Sequence, residues 1–184
     1  MITLSSLEDI ERLYAVRGAR NYGEGVTQME HAVQCAALAE AESAAPNLVV
    51  AALLHDIGHL FEEGERLVQD ARHEAAGARA LETLFGEAVC GPIALHVAAK
   101  RYLCFREPDY FQALSAASQR SLALQGGPLD APGAAAFERL PYWQDAVALR
   151  RWDDAGKREE LSGRSFNDFT PLLRDCLQGS RATS

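Results

Sequence analysis

The chain lacks several features that would direct its function elsewhere. Its four cysteines, Cys35, Cys90, Cys104 and Cys176, form no CxxC pair, so they read as buried thiols in a reducing compartment rather than as a zinc ribbon or a disulfide framework. Basic residues are not in excess. The formal net charge is -8, which argues against non-specific binding to nucleic acid or to an anionic membrane surface. The longest wholly apolar run, Leu48 to Leu54, falls far short of the roughly 20 residues that a spanning helix needs. Glu8, Asp9 and Glu11 stand where an apolar signal segment would lie, so no signal peptide is expected and a cytoplasmic location is. Internal repeats and low-complexity tracts are absent, and β-branched residues are sparse.

What is present is Ala and Leu at helical spacing. The 184 residues are expected to form one all-α domain with its own core. Leu7, Ile10, Leu13 and Tyr14 mark a first helix over Leu4 to Val16, broken by a glycine-bearing loop from Gly18 to Gly25. Thr27 with Glu30 has the form of a capping box for a second helix, which carries His31 in its first turn. Pro46 opens a third helix, apolar on most sides and so buried. A fourth is expected from about Ala71 to Phe85, with His73 near its start and Gly86 as its stop, after a charged surface loop from Glu62 to Asp70. A fifth, around Ile93 to Leu103, places His96 and Lys100 on one face. Further helical segments follow from Glu107 and over Leu114 to Leu124, where Ser115, Ser118 and Ser121 recur at steps of three. Gly126-Gly127-Pro128 stops that stretch. Tyr142 to Lys157 reads as the last strong helix, with Arg150 and Asp153 one turn apart, and a short helix with Phe166, Phe169, Leu172 and Leu173 closes the chain.

The third helix leads into Leu53-Leu54-His55-Asp56-Ile57-Gly58-His59-Leu60. Adjacent His and Asp suit a metal, because a carboxylate can bridge two cations while the imidazole gives one of them a neutral nitrogen. One dyad cannot close such a site. The other histidines are His31, His59, His73 and His96, and each could also be an ordinary hydrogen-bonded side chain. By spacing alone His59 could ligate beside His55. His and carboxylate ligands alone would accept Fe, Mn or Zn.

The order H...HD...H...H...D resembles the HD-domain superfamily of helical metal-dependent phosphohydrolases and oxygenases. Within it the chain is similar, over nearly its whole length, to the HD-domain diiron oxygenases of organophosphonate catabolism. The matching segments are Tyr22 to His31 (YGEGVTQMEH), Leu53 to Leu60, Arg72-His73-Glu74, His96 to Leu103 (HVAAKRYL) and Ser115 to Gly127 (SAASQRSLALQGG). The resemblance implies a helical bundle with two irons in a mixed-valent Fe(II)/Fe(III) pair and O2 as co-substrate. His31, His55, Asp56 and Asp153 would hold one iron, and Asp56, His73 and His96 the other, with Asp56 bridging. Tyr22 would occupy the second iron in the absence of substrate, and Glu24 would meet the substrate's cationic nitrogen. Lys100, Arg150, Ser118, Ser121 and His59 would bind the phosphonate. The implied reaction is oxidative carbon-phosphorus cleavage of a 2-amino-1-hydroxyethylphosphonate-type substrate, in amine or trimethylammonio form, to phosphate and glycine or glycine betaine. A metal-dependent phosphohydrolase acting on a small phosphate ester or nucleotide is the alternative. A catalytically silent binding module is a third reading, whose mark would be a lost ligand.

Overall fold

The computed structural model describes residues 4–21, 25–61, 72–157 and 163–178. These residues form ten α-helices and two 3-10 turns, with no strand among them. No helix among them is long and apolar enough to cross a membrane.

α1 (Leu7–Arg17) is capped by Ser6, whose side chain accepts from the Asp9 amide. α2 (Gln28–Ala41) begins with the expected capping box. The Thr27 hydroxyl accepts from the Glu30 amide at 3.2 Å, and the Thr27 amide donates back to the Glu30 carboxylate at 2.7 Å. α3 (Pro46–Leu54) has every residue from Leu48 to Leu54 buried. A helix apolar all round can only lie at the centre of the packing, and α3 does, against α2, α5 and α9.

The third helix stops at Leu54, and His55 and Asp56 turn into a 3-10 helix over Ile57–Phe61. The dyad therefore lies at the end of the helix rather than within it. His59 is carried by the tighter turn, whose amide bonds back three residues to the Asp56 carbonyl at 2.9 Å. In a 3-10 helix, side chains three apart eclipse, so the four-residue spacing from His55 no longer shares a face.

Two boundaries differ from the sequence expectation for identifiable reasons. α4 spans His73–Leu81, and Gly86 does not stop it but caps α5 (Glu87–Arg106). α5 thus begins a turn and a half before Ile93, with Pro92 inside it. The missing Pro92 amide is tolerated because Val89, Cys90 and Ile93 on the same stretch are buried in the core. Further along, α6 (Tyr110–Ala113) and α7 (Ala116–Leu124) are separated by extended backbone at Leu114, and Ser115 caps α7 by accepting from the Ser118 amide at 3.1 Å. α8 (Ala131–Phe137) was not expected. Its signal is Asp130 followed by Pro132: the Asp130 carboxylate accepts from the Gly133 amide at 2.8 Å. α9 (Trp143–Ala155) lies along α5, and α10 (Thr170–Asp175) follows a 3-10 turn over Phe166–Phe169. The expected surface loop from Glu62 to Asp70 lies outside the described residues.

Leu53 is fully buried in the core cluster that joins α1, α2, α3 and α5. Leu53→Ala should cost about 2–5 kcal/mol through lost burial and the cavity left behind, measured as a drop in chemical-denaturation midpoint with an unchanged slope.

Candidate metal centre

Five structural elements bring six side chains to one buried point: His31 from α2, His55 and Asp56 from the end of α3, His73 from the first turn of α4, His96 from the middle of α5 and Asp153 from α9. The Asp56 carboxylate divides them. Its Oδ2 lies 3.4 Å from His55 Nε2 and 3.7 Å from His31 Nε2, while its Oδ1 lies 3.3 Å from His73 Nε2 and 3.5 Å from His96 Nε2. Asp153 closes the first group, with Oδ1 at 3.4 Å from His31 Nε2 and Oδ2 at 3.8 Å from His55 Nε2. Within each group the two imidazoles face each other, His31 Nε2 to His55 Nε2 at 3.3 Å and His73 Nε2 to His96 Nε2 at 3.1 Å. Ligands about 2.0–2.2 Å from one cation stand roughly 3.0–3.5 Å apart, so both spacings suit a shared ion.

The outer partners of the rings favour the same reading. His31 Nδ1 donates to the Gly156 carbonyl at 2.8 Å, His55 Nδ1 to the Ala52 carbonyl at 2.9 Å and His96 Nδ1 to the Ile93 carbonyl at 2.8 Å. A carbonyl can only accept, so each neutral ring has its proton on Nδ1 and its lone pair on the inward Nε2. Asp56 Oδ2 and Asp153 Oδ1 are buried with no hydrogen-bond partner. Inward lone pairs beside orphaned carboxylate oxygens form a donor set that one or two cations would complete.

Cys35 and His59 also lie near: His31, Cys35 and His55 form one compact donor group, and Asp56, His59 and His73 another. The Cys35 sulfur is 3.7 Å from both ring nitrogens of His31. It is therefore equidistant from the two nitrogens and lies along neither lone pair. Burial raises its pKa and keeps it a thiol, with the Trp152 carbonyl at 3.5 Å as acceptor. His59 stacks flat on His73, ring centroids 3.9 Å apart.

Electrostatics match the geometry. Burial works against the Asp56 carboxylate, but His55, His73 and His96 around it hold its pKa well below the usual range. Asp153 is likewise held low against its burial, by Arg150 and Lys157. Burial pushes the His55 pKa down to about 4. His31 differs: burial opposes its charge, yet the Asp153 carboxylate 3.4 Å from its Nε2 works against burial and raises its pKa above the usual value.

Lys100, Ser118, Ser121 and Arg150 make the following contacts. Lys100, 3% exposed, donates from Nζ to Ser121 Oγ at 2.7 Å, as its helical spacing from His96 suggests. Ser118 is buried and accepts from Lys157 Nζ at 2.9 Å. Lys157 was not anticipated. It stands four residues past Asp153, with Nζ 3.7 Å from that carboxylate, which is the spacing argument that singled out Lys100. Arg150 reaches the centre differently from expectation. Its Nη1 donates to Asp153 Oδ2 at 2.5 Å, its Nε to Asp154 Oδ2 at 3.2 Å, and its Nη2 to the other Asp154 oxygen. Asp154 and its partner Tyr110 were also not anticipated. Tyr22 and Glu24 lie outside the described residues.

Two glycines let the elements close. A Cβ on Gly58 would fall 2.1 Å from the His73 carbonyl oxygen, and one on Gly156 would fall 2.6 Å from the Cys35 sulfur. Gly156→Ala should therefore push the His31 carbonyl partner away and lower metal affinity about 10–100-fold, measured by competition with a chelator. Cys35→Ala in the same chain should recover part of the loss by removing the sulfur. A pH dependence follows from His31. Below its raised pKa the metal-free site carries a proton that a cation must displace, so apparent affinity should fall about tenfold per pH unit on acidification. Isothermal titration at pH 6 and pH 8 reads both the affinity and the released proton.

The HD domain family matches residues 29–118. The chain is 46% identical over 168 residues to the hydroxymethylphosphonate dioxygenase of Gimesia maris, covering 89% of this chain and 84% of that protein. It is 42% identical over 173 residues to the [1-hydroxy-2-(trimethylamino)ethyl]phosphonate dioxygenase (glycine-betaine-forming) of Leisingera caerulea, covering 91% of this chain and 88% of that one. An uncharacterized protein of Acanthamoeba polyphaga mimivirus is 32% identical over 184 residues, with 96% and 84% covered. Likeness of this extent to two dioxygenases, over a helical scaffold whose His and Asp side chains converge on one buried point, has one consequence: the chain belongs to the HD-domain phosphonate dioxygenases and is an oxygenase.

Proposed function

We propose that this chain uses O2 to cleave the carbon-phosphorus bond of a small 1-hydroxyphosphonate at a dinuclear iron centre. His31, His55, Asp56 and Asp153 would hold one iron. Asp56, His73 and His96 would hold the other. The observation that carries this reading is the division of the Asp56 carboxylate, one oxygen toward each pair of imidazoles. The irons would supply activation of O2 and binding of the substrate's oxygens, in a mixed-valent Fe(II)/Fe(III) pair. One O2 per turnover balances the conversion of a 1-hydroxyphosphonic acid into a carboxylic acid and phosphoric acid with no external reductant.

The protein's own side chains position the substrate. A phosphonate offers only acceptor oxygens, so its cradle must consist of donors. Lys100 and Lys157 supply ammonium groups beside the centre, each oriented by a serine hydroxyl. The Ser118 hydroxyl accepts from Lys157 and retains its own proton to donate. Ser121 orients Lys100 while its own proton goes to the Ser118 carbonyl at 3.1 Å. His59, held flat on His73, stands beside the second group of ligands. Arg150 contributes positive charge while its donors serve Asp153 and Asp154. Holding the phosphonate and the metal-binding hydroxyl at fixed points orients C1 for oxidation.

At C1 we take the substituent to be a single methylene bearing an amine or a trimethylammonium, with Glu24 meeting the cation, so that the products are phosphate and glycine or glycine betaine. The Leisingera relative, by its name, acts on the trimethylammonio compound. A second reading rests on the Gimesia relative, which by its name acts on hydroxymethylphosphonate, a compound with no cation for Glu24 to meet.

Iron-loaded protein should release phosphate from 2-amino-1-hydroxyethylphosphonate or its trimethylammonio analogue only when O2 is supplied. Hydroxymethylphosphonate as the preferred compound in the same assay would replace the cationic substrate and remove the role given to Glu24. Phosphate release from esters without O2, and none from any phosphonate, would sink the oxygenase proposal in favour of a hydrolase.

A further inference from the structure

α9 carries Asp153, but it also reaches repeatedly across to the segment that bears the candidate phosphonate-binding serines. Arg151 Nη2 donates to Glu107 Oε1 at 2.5 Å, the Tyr110 hydroxyl donates to Asp154 Oδ2, and Lys157 Nζ donates to Ser118 Oγ at 2.9 Å. Arg151 and Asp154 lie three apart on one side of α9, and Lys157 follows just past its C-cap, Gly156. The segment from Glu107 to Ser118 is thereby fastened at Glu107, Tyr110 and Ser118 to α9 and the residue just past its cap.

The middle fastening continues inward. Asp154 takes two donors of the Arg150 guanidinium, and the third goes to Asp153 Oδ2 at 2.5 Å. Arg150 is 3% exposed and Asp153 1%, so these charges are little screened and each depends on its partner for compensation. The guanidinium is a rigid planar fork. Two carboxylates gripping it from different sides fix its plane, and that plane in turn fixes the rotation of the Asp153 carboxylate whose other oxygen faces His31 at 3.4 Å. Releasing Asp154 from one side lets the fork turn, and Asp153 turns with it. Tyr110 lies at the outer end of this chain, on α6, eight residues before Ser118.

Building on the metal centre and anion cradle proposed above, we infer that Tyr110 is a positioning residue. Through Asp154 and Arg150 it sets the Asp153 carboxylate, and through α6 it sets the serine segment, so metal binding and phosphonate binding are coupled through one chain of hydrogen bonds. Neither Tyr110 nor Asp154 touches substrate or metal in this arrangement. Coupling of this kind is reciprocal: whatever factor phosphate adds to the affinity for metal, metal adds to the affinity for phosphate.

The test uses the full chain under anaerobic conditions, with Fe(II) and inorganic phosphate as probes. Tyr110→Phe removes a single oxygen and should leave the helical content intact. It is expected to weaken Fe(II) binding at one of the two positions about tenfold and to reduce the factor by which phosphate strengthens Fe(II) binding. Asp154→Ala should reproduce both losses, and adding Tyr110→Phe to it should change nothing further. Wild-type behaviour of Tyr110→Phe in both titrations would overturn the inference. So would a loss confined to one of the two ligands, or losses that add in the double variant, since either would make Tyr110 a local contact only. The oxygenase proposal is read separately, from O2-dependent phosphate release by the wild-type protein, so failure of one does not mimic failure of the other.

Discussion

The structure turns on the buried carboxylate of Asp56. It stands among four imidazoles with one oxygen facing each pair, and its Oδ2 has no hydrogen-bond partner. Burying such a group without a counter-charge costs several kcal/mol, a large fraction of the roughly 5–15 kcal/mol by which a domain is stable. That cost is sustained by the packing around it. Leu53, Leu54 and Ile57 on either side of the dyad are fully buried, and α3 is held among α2, α5 and α9. The core thus carries the dyad to a position that favours a cation.

Each half of the centre combines one histidine aimed by its own chain segment with ligands set by the docking of distant elements. His55 and His96 bond through Nδ1 to carbonyls three residues back in their own chain segments. Once those segments form, the two lone pairs are aimed. His31 bonds instead to Gly156, 125 residues distant in sequence, and Asp153 comes from the same helix end. The first group of ligands is therefore complete only when α9 docks against α2. The close approach at Gly156 makes that docking possible, because any side chain there would meet the Cys35 sulfur. The second group, around His73, depends in the same way on Gly58 lying under the His73 carbonyl.

How much of this was legible in the sequence follows from where each signal is stored. The capping box at Thr27 and the proline start at Pro46 were readable because they are local chemistry. The six candidate ligands were readable as residue types in an order matching a family, and the structure brings all six together. The interior position of Pro92 was not readable, because the cost of a proline inside α5 is offset by core contacts that no local pattern displays. α8 was passed over although Asp130 and Pro132 announce it. Lys157 carries the same four-residue spacing from Asp153 that Lys100 has from His96, a signal visible in the sequence. The commitment of Arg150 to Asp153 and Asp154 could not be foreseen from spacing, since a residue one turn from a ligand can face either the ligand or the substrate.

That commitment bears on how a dianion would be bound beside two carboxylates, one of them buried. Asp153 and Asp154 lie next to the expected phosphonate position, and uncompensated they would repel it. Arg150 neutralises that repulsion at its source by occupying the carboxylates, so that in the proposed reading the ammonium groups of Lys100 and Lys157 would be the ones to meet the ligand. The division suits the geometry of each cation. A planar fork is best matched to carboxylates held in fixed positions. An ammonium on a flexible stem, steered by a serine hydroxyl, can follow phosphonate oxygens as they become those of free phosphate.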